Sequence, residues 1–278
     1  MKKCPYCDFN SHEQANPNFA EYGRALVNDL NADLERYGST PFVSLFFGGG
    51  TPSLFPPKHF EPLFQRLRNL SLISSETEIS LESNPGTLDL GHLTGYHDLG
   101  INRLSIGVQS FNKNVLKALG RIHDRDQAVS MIEQAKAIGF ERVNVDLMHG
   151  TPDQTPAIAL EDLKIVRNLE VNHLSWYQLT IEPNTVFYSK PPKLPDEDTL
   201  EATERSGLEI ITSMGLQQYE VSAFTKPGEE AKHNLNYWEF GDYFGIGAGA
   251  HGKITTGRGV VRTQRTRQPL NYLARTDT

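Results

Sequence analysis

Cysteine is nearly absent from this 278-residue sequence. The two thiols, Cys4 and Cys7, both fall within the first seven residues. So few cysteines exclude the disulfide scaffold of a small secreted domain. No apolar run approaches the ~20 residues of a bilayer-crossing helix, so no integral membrane segment is expected. The opening MKKCPYCDFNSH has no apolar centre of the kind a secretory signal needs, and a cytoplasmic location is expected. Positive charge is also in deficit, with 27 Lys and Arg against 34 Asp and Glu, a net charge of -7. That balance argues against a general nucleic-acid binder, and no nucleic-acid partner is expected. The chain is nevertheless long enough to bury roughly 75% of its unfolded surface, so it needs no covalent staple to fold.

Strand-like apolar runs recur at residues 42–47, 79–81, 103–108, 142–148, 173–179 and 218–221. Helical repeats lie between them: Tyr22, Leu26, Leu30 and Leu34; Ala128, Ile132, Ala135 and Ile138, with Gly139 placed to cap; and Leu160, Leu163, Val166 and Leu169. A strand every 30 to 40 residues or so predicts β/α units and a parallel sheet, open or curled into a barrel. Polar residues follow the strands: Gly48 to Thr51, Glu82 to Asn84, Gln109, Asp146 and Gln178. A barrel carries its site on that C-terminal rim, although strand ends meeting polar loops would give a similar pattern. The first helical pattern, about residues 18–37, precedes the first visible strand. After Gly245 the sequence turns Gly-rich and then basic, with little period of either kind.

Cys4-Pro5-Tyr6-Cys7 taken alone admits a redox dithiol, half of a zinc site, or part of an iron–sulfur site. Gly48-Gly49-Gly50-Thr51-Pro52 allows a ligand to approach the backbone closely, and it lacks the Lys-Ser/Thr pair of a phosphate loop. These two motifs, in order with Glu82-Ser83-Asn84-Pro85-Gly86, Ser105 to Phe111, Gly120-Arg121-Ile122-His123, Asn144 to Leu147 and Gly150-Thr151-Pro152, resemble the radical S-adenosylmethionine (SAM) superfamily. The resemblance spans essentially the whole chain.

The resemblance implies an α/β fold, a partial (β/α)6 TIM-type barrel, over residues 1–225. A Gly-rich extension over 226–278 is expected to lead toward a C-terminal domain. It implies a [4Fe–4S] cluster bound by Cys4 and Cys7, with SAM chelated at the open iron and an electron donor as partner. Tyr6 resembles the aromatic beside the adenine, and Gly49, Gly50 and Thr51 the contact to the methionine end. Glu82, Gln109, Arg121 and Asp146 match polar SAM contacts. By residue type alone, Glu82 and Asp146 could be ion-pair partners, Gln109 a core amide and Arg121 a helix-end charge. The family's cluster motif is C-x3-C-x2-C. Its first cysteine would fall immediately before Met1, and the strand leading into it has no counterpart here, so a chain shortened at both ends is expected.

Within the superfamily the chain is similar to the oxygen-independent coproporphyrinogen III oxidases and, more closely, to the HemW branch of heme chaperones. The decarboxylases place a cysteine two positions after the last cluster cysteine, where this sequence has Phe9. His233-Asn234-Leu235-Asn236-Tyr237-Trp238 fits the chaperone branch's H-N-x-x-Y-W. The resemblance implies heme and heme-accepting proteins as partners, with His233, Tyr237 and Trp238 as candidate heme contacts. A capping or surface role is open for His233, and His173, inside a strand, reads as packing. The alternative function is oxidative decarboxylation of coproporphyrinogen.

Overall fold

The computed structural model describes residues 3–12, 17–86 and 90–276. Helix α1 (Phe19–Tyr37) is followed by five parallel strands. These are β1 (Ser44–Phe47), β2 (Glu78–Ser83), β3 (Arg103–Gln109), β4 (Arg142–His149) and β5 (His173–Gln178). They lie side by side in chain order. The crossovers are α2 (Pro57–Asn69), α3 (Leu90–Leu99), α4 (Lys113–Ala118) with α5 (Arg125–Ile138), and α6 (Pro156–Asn168). Helix α5 shows how locally these boundaries are written. Asp124 and Gln127 form a reciprocal capping box at its start, and Gly139, at φ +114°, ends it as its sequence position predicts.

Side chains alternate across each strand, so each strand has two faces of different chemistry. Ile79, Leu81, Leu104, Ile106, Val143, Val145, Leu147, Leu174 and Trp176 pack outward. They meet Phe64, Leu67, Leu93, Tyr96, Ile132, Leu163 and Val166 of the helices in one continuous core. The residues between them are polar: Glu78, Ser80 and Glu82; Arg103, Ser105 and Gln109; Arg142, Asn144 and Asp146; His173, Ser175 and Tyr177. A doubly wound sheet buries both faces under helices and has apolar strands throughout. Here one face is apolar and helix-covered and the other is polar, so the sheet is a partial barrel with a polar interior.

Beyond β5 the chain departs from a repeated β/α unit. Helices α7 (Val186–Ser189) and α8 (Glu197–Ser213) lead to β6 (Gln217–Gln218) and β7 (Ala223–Thr225). The strand expected at 218–221 is thus two short ones around a tight reversal. The chain turns back after Gln218, so β7 joins β5 antiparallel. The patternless tail is also ordered. It forms α9 (Lys232–Trp238), an antiparallel hairpin of β8 (His251–Thr256) and β9 (Gly259–Gln264), and α10 (Pro269–Thr276). Arg265 ties this tail to α1 through Asp29 and Asp33, at 2.7 and 2.6 Å. No helix among the described residues is long and apolar enough to cross a membrane.

Candidate functional site

The Cys4–Cys7 segment is a tight turn, closed by the Cys7 amide donating to the Cys4 carbonyl at 3.2 Å. It sits over the C-terminal strand ends. The Phe187 amide of α7 donates to the Pro5 carbonyl at 3.0 Å. Gly120, at φ +69°, lies so close beneath that a Cβ there would stand 2.8 Å from Pro5 Cδ. Tyr6 packs against a small cluster of Val115, Leu119, Met148, Leu179 and Phe187. Burial pushes the Tyr6 hydroxyl pKa far up, with Arg121 opposing. Both cysteines are free and partly exposed. Burial raises the Cys7 thiol, and the Phe9 backbone and Lys3 pull against that rise.

Arg121 connects this turn to the barrel. Its Nη1 lies 3.8 Å from Cys4 Sγ, and Nη2 donates to Asn84 Oδ1 at 2.5 Å and to the Gly107 carbonyl. Its Nε is buried without a partner among the described residues. The glycine run after β1 forms the neighbouring wall. Gly49, at φ +125°, directs its amide onto Glu82 Oε2 at 3.0 Å. A Cβ on Gly50 would come within 2.8 Å of Ser11 Cβ. Thr51 Oγ1 donates to the Gly50 carbonyl at 2.6 Å, and Asn84 Nδ2 reaches that hydroxyl at 3.4 Å.

Glu82 of β2 and Asp146 of β4 enter the interior just below this rim. Burial, followed by the Asp146 charge, pushes the Glu82 carboxyl up to about 7 against the Gly49 amide. Burial also raises Asp146, opposed by hydrogen bonds from Ser175, Asn144 and Ser105 and by Arg121. Gln109 ends β3 at φ +69°, beside a register shift against β4, and takes a 2.8 Å hydrogen bond from the Tyr177 hydroxyl. A non-glycine residue in that region costs of order 1–3 kcal/mol and is kept where surroundings dictate it. Two carboxylates sharing a poorly solvated chamber with one guanidinium favour a cationic ligand.

Cys4, Cys7, Tyr6, Gly49, Gly50, Thr51, Glu82, Gln109, Arg121 and Asp146 therefore converge on one end of the barrel. His233, Tyr237 and Trp238 do not join them. His233 lies at the opposite end, with Nδ1 3.3 Å from Glu78 Oε1 at the start of β2 and its ring stacked 4.3 Å from that of Phe46. Tyr237, Trp238 and Phe240 are exposed there. Tyr237 packs edge-on to Tyr243 at 4.9 Å, and Arg262 reaches the Tyr243 hydroxyl at 3.2 Å. Sequence reasoning missed Tyr177, Ser105 and Asn144 as site residues and read His173 as packing. The signal was available in the polar alternates of E-I-S-L-E, R-L-S-I-G-V-Q, R-V-N-V-D and H-L-S-W-Y.

The site's chemistry suits a cluster and SAM. The sulfonium and ammonium of SAM match the two carboxylates, the glycine wall admits a ligand against the backbone, and the turn presents two thiols. Among the described residues no third Cys, His, Asp or Glu completes a metal-binding group with them. His12 instead has Nε2 2.9 Å from Asn10 Oδ1.

The sequence profile of the radical SAM superfamily matches residues 1–166. The heme chaperone HemW of Escherichia coli (strain K12) is 46% identical over 275 residues, which is 98% of this chain and 73% of that protein. The heme chaperone HemW of Bacillus subtilis (strain 168) is 36% identical over 279 residues, 97% of this chain and 72% of its own length. Among solved structures, the radical SAM enzyme coproporphyrinogen III oxidase (HemN) from Escherichia coli superposes with a TM-score of 0.82 at 25% identity. That match covers 99% of this chain and 66% of the oxidase.

Proposed function

Because this chain belongs to the radical SAM superfamily and, within it, to the HemW family, we propose that it is a cytoplasmic heme chaperone: it binds heme, passes it to acceptor proteins, and holds a [4Fe–4S] cluster and SAM. The observation that carries this reading is the pairing of a cation-seeking rim site with an exposed aromatic face at the other end of the same barrel. Residues 1–225 form the barrel that holds SAM, and 226–278 supply the heme-facing extension.

At the rim, Cys4 and Cys7 provide two sulfur ligands to the cluster, and the Arg121 guanidinium lies beside Cys4. Cys4 and Cys7 would hold part of the cluster there, and its chemistry would be one-electron reduction of the SAM sulfonium, with the electron coming from a separate donor. The protein's part is positioning. Glu82 and Asp146 hold the cationic ligand. Gly49, Gly50 and Thr51 offer backbone groups to its methionine end, and Tyr6 packs by its adenine. Gln109 and Arg121 fix the remaining polar groups.

At the base, His233 is the ligand we assign to heme iron. Glu78 takes the Nδ1 proton, which leaves Nε2 as the free donor atom, the arrangement in which a carboxylate orients a ligating imidazole. Although burial raises Glu78, the His233 hydrogen bond and the Arg103 charge hold its carboxyl below the usual range, so it remains an acceptor. Tyr237 and Trp238 offer flat apolar surface to the macrocycle, and Arg262 offers charge to its propionates.

The likeness to coproporphyrinogen III oxidase favours one second reading, oxidative decarboxylation of coproporphyrinogen. Phe9 stands against it. Anaerobic incubation of the reconstituted protein with coproporphyrinogen III, SAM and reductant separates the two. The chaperone reading expects no protoporphyrinogen, and stoichiometric or faster product formation contradicts it.

A further inference from the structure

The two ends of the barrel are joined through its interior by an unbroken row of side-chain hydrogen bonds. Asn234 Nδ2 of α9 donates to the Tyr219 hydroxyl at 3.0 Å. Tyr219 and His173 Nε2 are 2.7 Å apart, and His173 Nδ1 and Asn144 Oδ1 are 2.5 Å apart. Asn144 Nδ2 donates to Asp146 Oδ1 at 2.7 Å. The direction of every bond is determined. Asn144 uses its amide protons on Asp146 and, at 2.7 Å, on Ser105 Oγ, so its Oδ1 can only accept. His173 must therefore donate from Nδ1 and accept from Tyr219 at Nε2. Burial, with Arg103 and His233 nearby, keeps His173 neutral as this requires. Four donors thus point the same way, from α9 to the Asp146 carboxylate. Rows aligned in this manner polarise one another.

We infer that His173, through Asn144 on one side and Tyr219 on the other, is a positioning residue that couples SAM at Asp146 to the placement of α9 and so to heme. This rests on reading Asp146 as a SAM contact and α9 as heme-facing. The sense of the coupling follows from the bonds. Both Asp146 oxygens already accept, from Asn144 and, at 3.0 Å, from Ser105. The carboxylate can accept further donors, and a ligand that donates to it shares the charge that holds Asn144, which weakens the row and loosens α9. SAM therefore lowers heme affinity. By reciprocity, heme lowers SAM affinity by the same factor.

Heme affinity is measured by absorbance titration of the reconstituted protein with and without SAM, in the parent and in Tyr219→Phe, which removes one hydroxyl and with it the bonds to His173 and Asn234. A factor of about fivefold is expected in the parent, the lower end of typical couplings, falling below about twofold in the variant while each ligand alone still binds. Asn234→Ala cuts the row at its partly exposed end and repeats the test if Tyr219→Phe does not fold. Trp238, the exposed one of the two tryptophans, reports the same event without heme: SAM should change its quenching by acrylamide in the parent and not in Tyr219→Phe. A purely structural role shifts single affinities and leaves the factor between them alone. A parent factor of one, a SAM-enhanced heme affinity, or the same factor in both proteins overturns the inference. If heme fails to bind but Trp238 still answers to SAM, the heme reading falls and the coupling stands. If neither heme nor SAM binds the parent, both fall.

Discussion

Replacing Glu82 with glutamine should move ligand affinity and stability in opposite directions. In the free protein the ionised Glu82 carboxylate is held in a poorly solvated chamber facing Asp146, which lifts its pKa from 4.5 to about 7. The folded state then binds more protons than the unfolded state between those two values, so stability falls as pH rises through that window and is level above it. At about 1.4 kcal/mol per pH unit, the cost at pH 8 is ~3 kcal/mol. Glu82→Gln removes the charge and retains an acceptor for the Gly49 amide, so most of that cost should be recovered. For a chain of this size the midpoint of thermal unfolding should rise by roughly 5–10 °C at pH 8, with the gain shrinking toward pH 5. SAM affinity should fall, because a charge-assisted hydrogen bond to a ligand contributes about 1.5–3 kcal/mol, or roughly ten- to a hundredfold. Thermal unfolding across pH and calorimetric titration of the reconstituted protein with SAM measure the two sides. A destabilised variant at pH 8 would mean that the Glu82 charge is not costly in the fold, and unchanged SAM affinity would mean that Glu82 does not touch SAM.

Three further outcomes are expected. SAM affinity of the parent should rise about tenfold from pH 6 to pH 8, as Glu82 loses its proton around 7 and becomes the better partner for a cation; titrations across that range check this, and a flat profile counts against Glu82 as a contact. His233→Ala should weaken heme binding at least about tenfold, the scale set by disturbing even the outer partner of a ligating histidine, and should move the Soret band; an unchanged spectrum returns His233 to the role of anchoring α9 on Glu78. Reconstituted with iron and sulfide, the chain with its two cysteines should hold well under four irons per protomer. Iron analysis and electron paramagnetic resonance check this, and a full complement of about four irons would count against Cys4 and Cys7 as the whole thiolate set.

Part of the rim was legible from the strands that carry it, while Cys4, Tyr6, Cys7 and Arg121 belong to no strand and stood out only through motifs shared with a known family. Gly49, Glu82, Gln109 and Asp146 each end or nearly end an apolar run, and parallel strands in sequential order bring such ends together. The base was not legible in this way. His233 meets Glu78 across 155 residues, and α9 carries no apolar period of its own to say where it docks. The reversal between β6 and β7 hides in strands of two and three residues, too short for a period to register. The β8–β9 hairpin, His251 to Gln264, is polar on much of both faces, so alternation is faint there. His173 was read as packing because burial and strand position are what a sequence shows. Its two polar partners, Asn144 and Tyr219, come from separate elements and appear only when the barrel closes around them.

Heme titration of the reconstituted protein decides whether this barrel presents SAM-binding and heme-binding ends on one chain. A saturable complex is expected, with a Soret band that responds to His233→Ala and an affinity that responds to SAM. Absence of saturable heme binding, in a protein that does bind SAM, would rule the heme-binding end out.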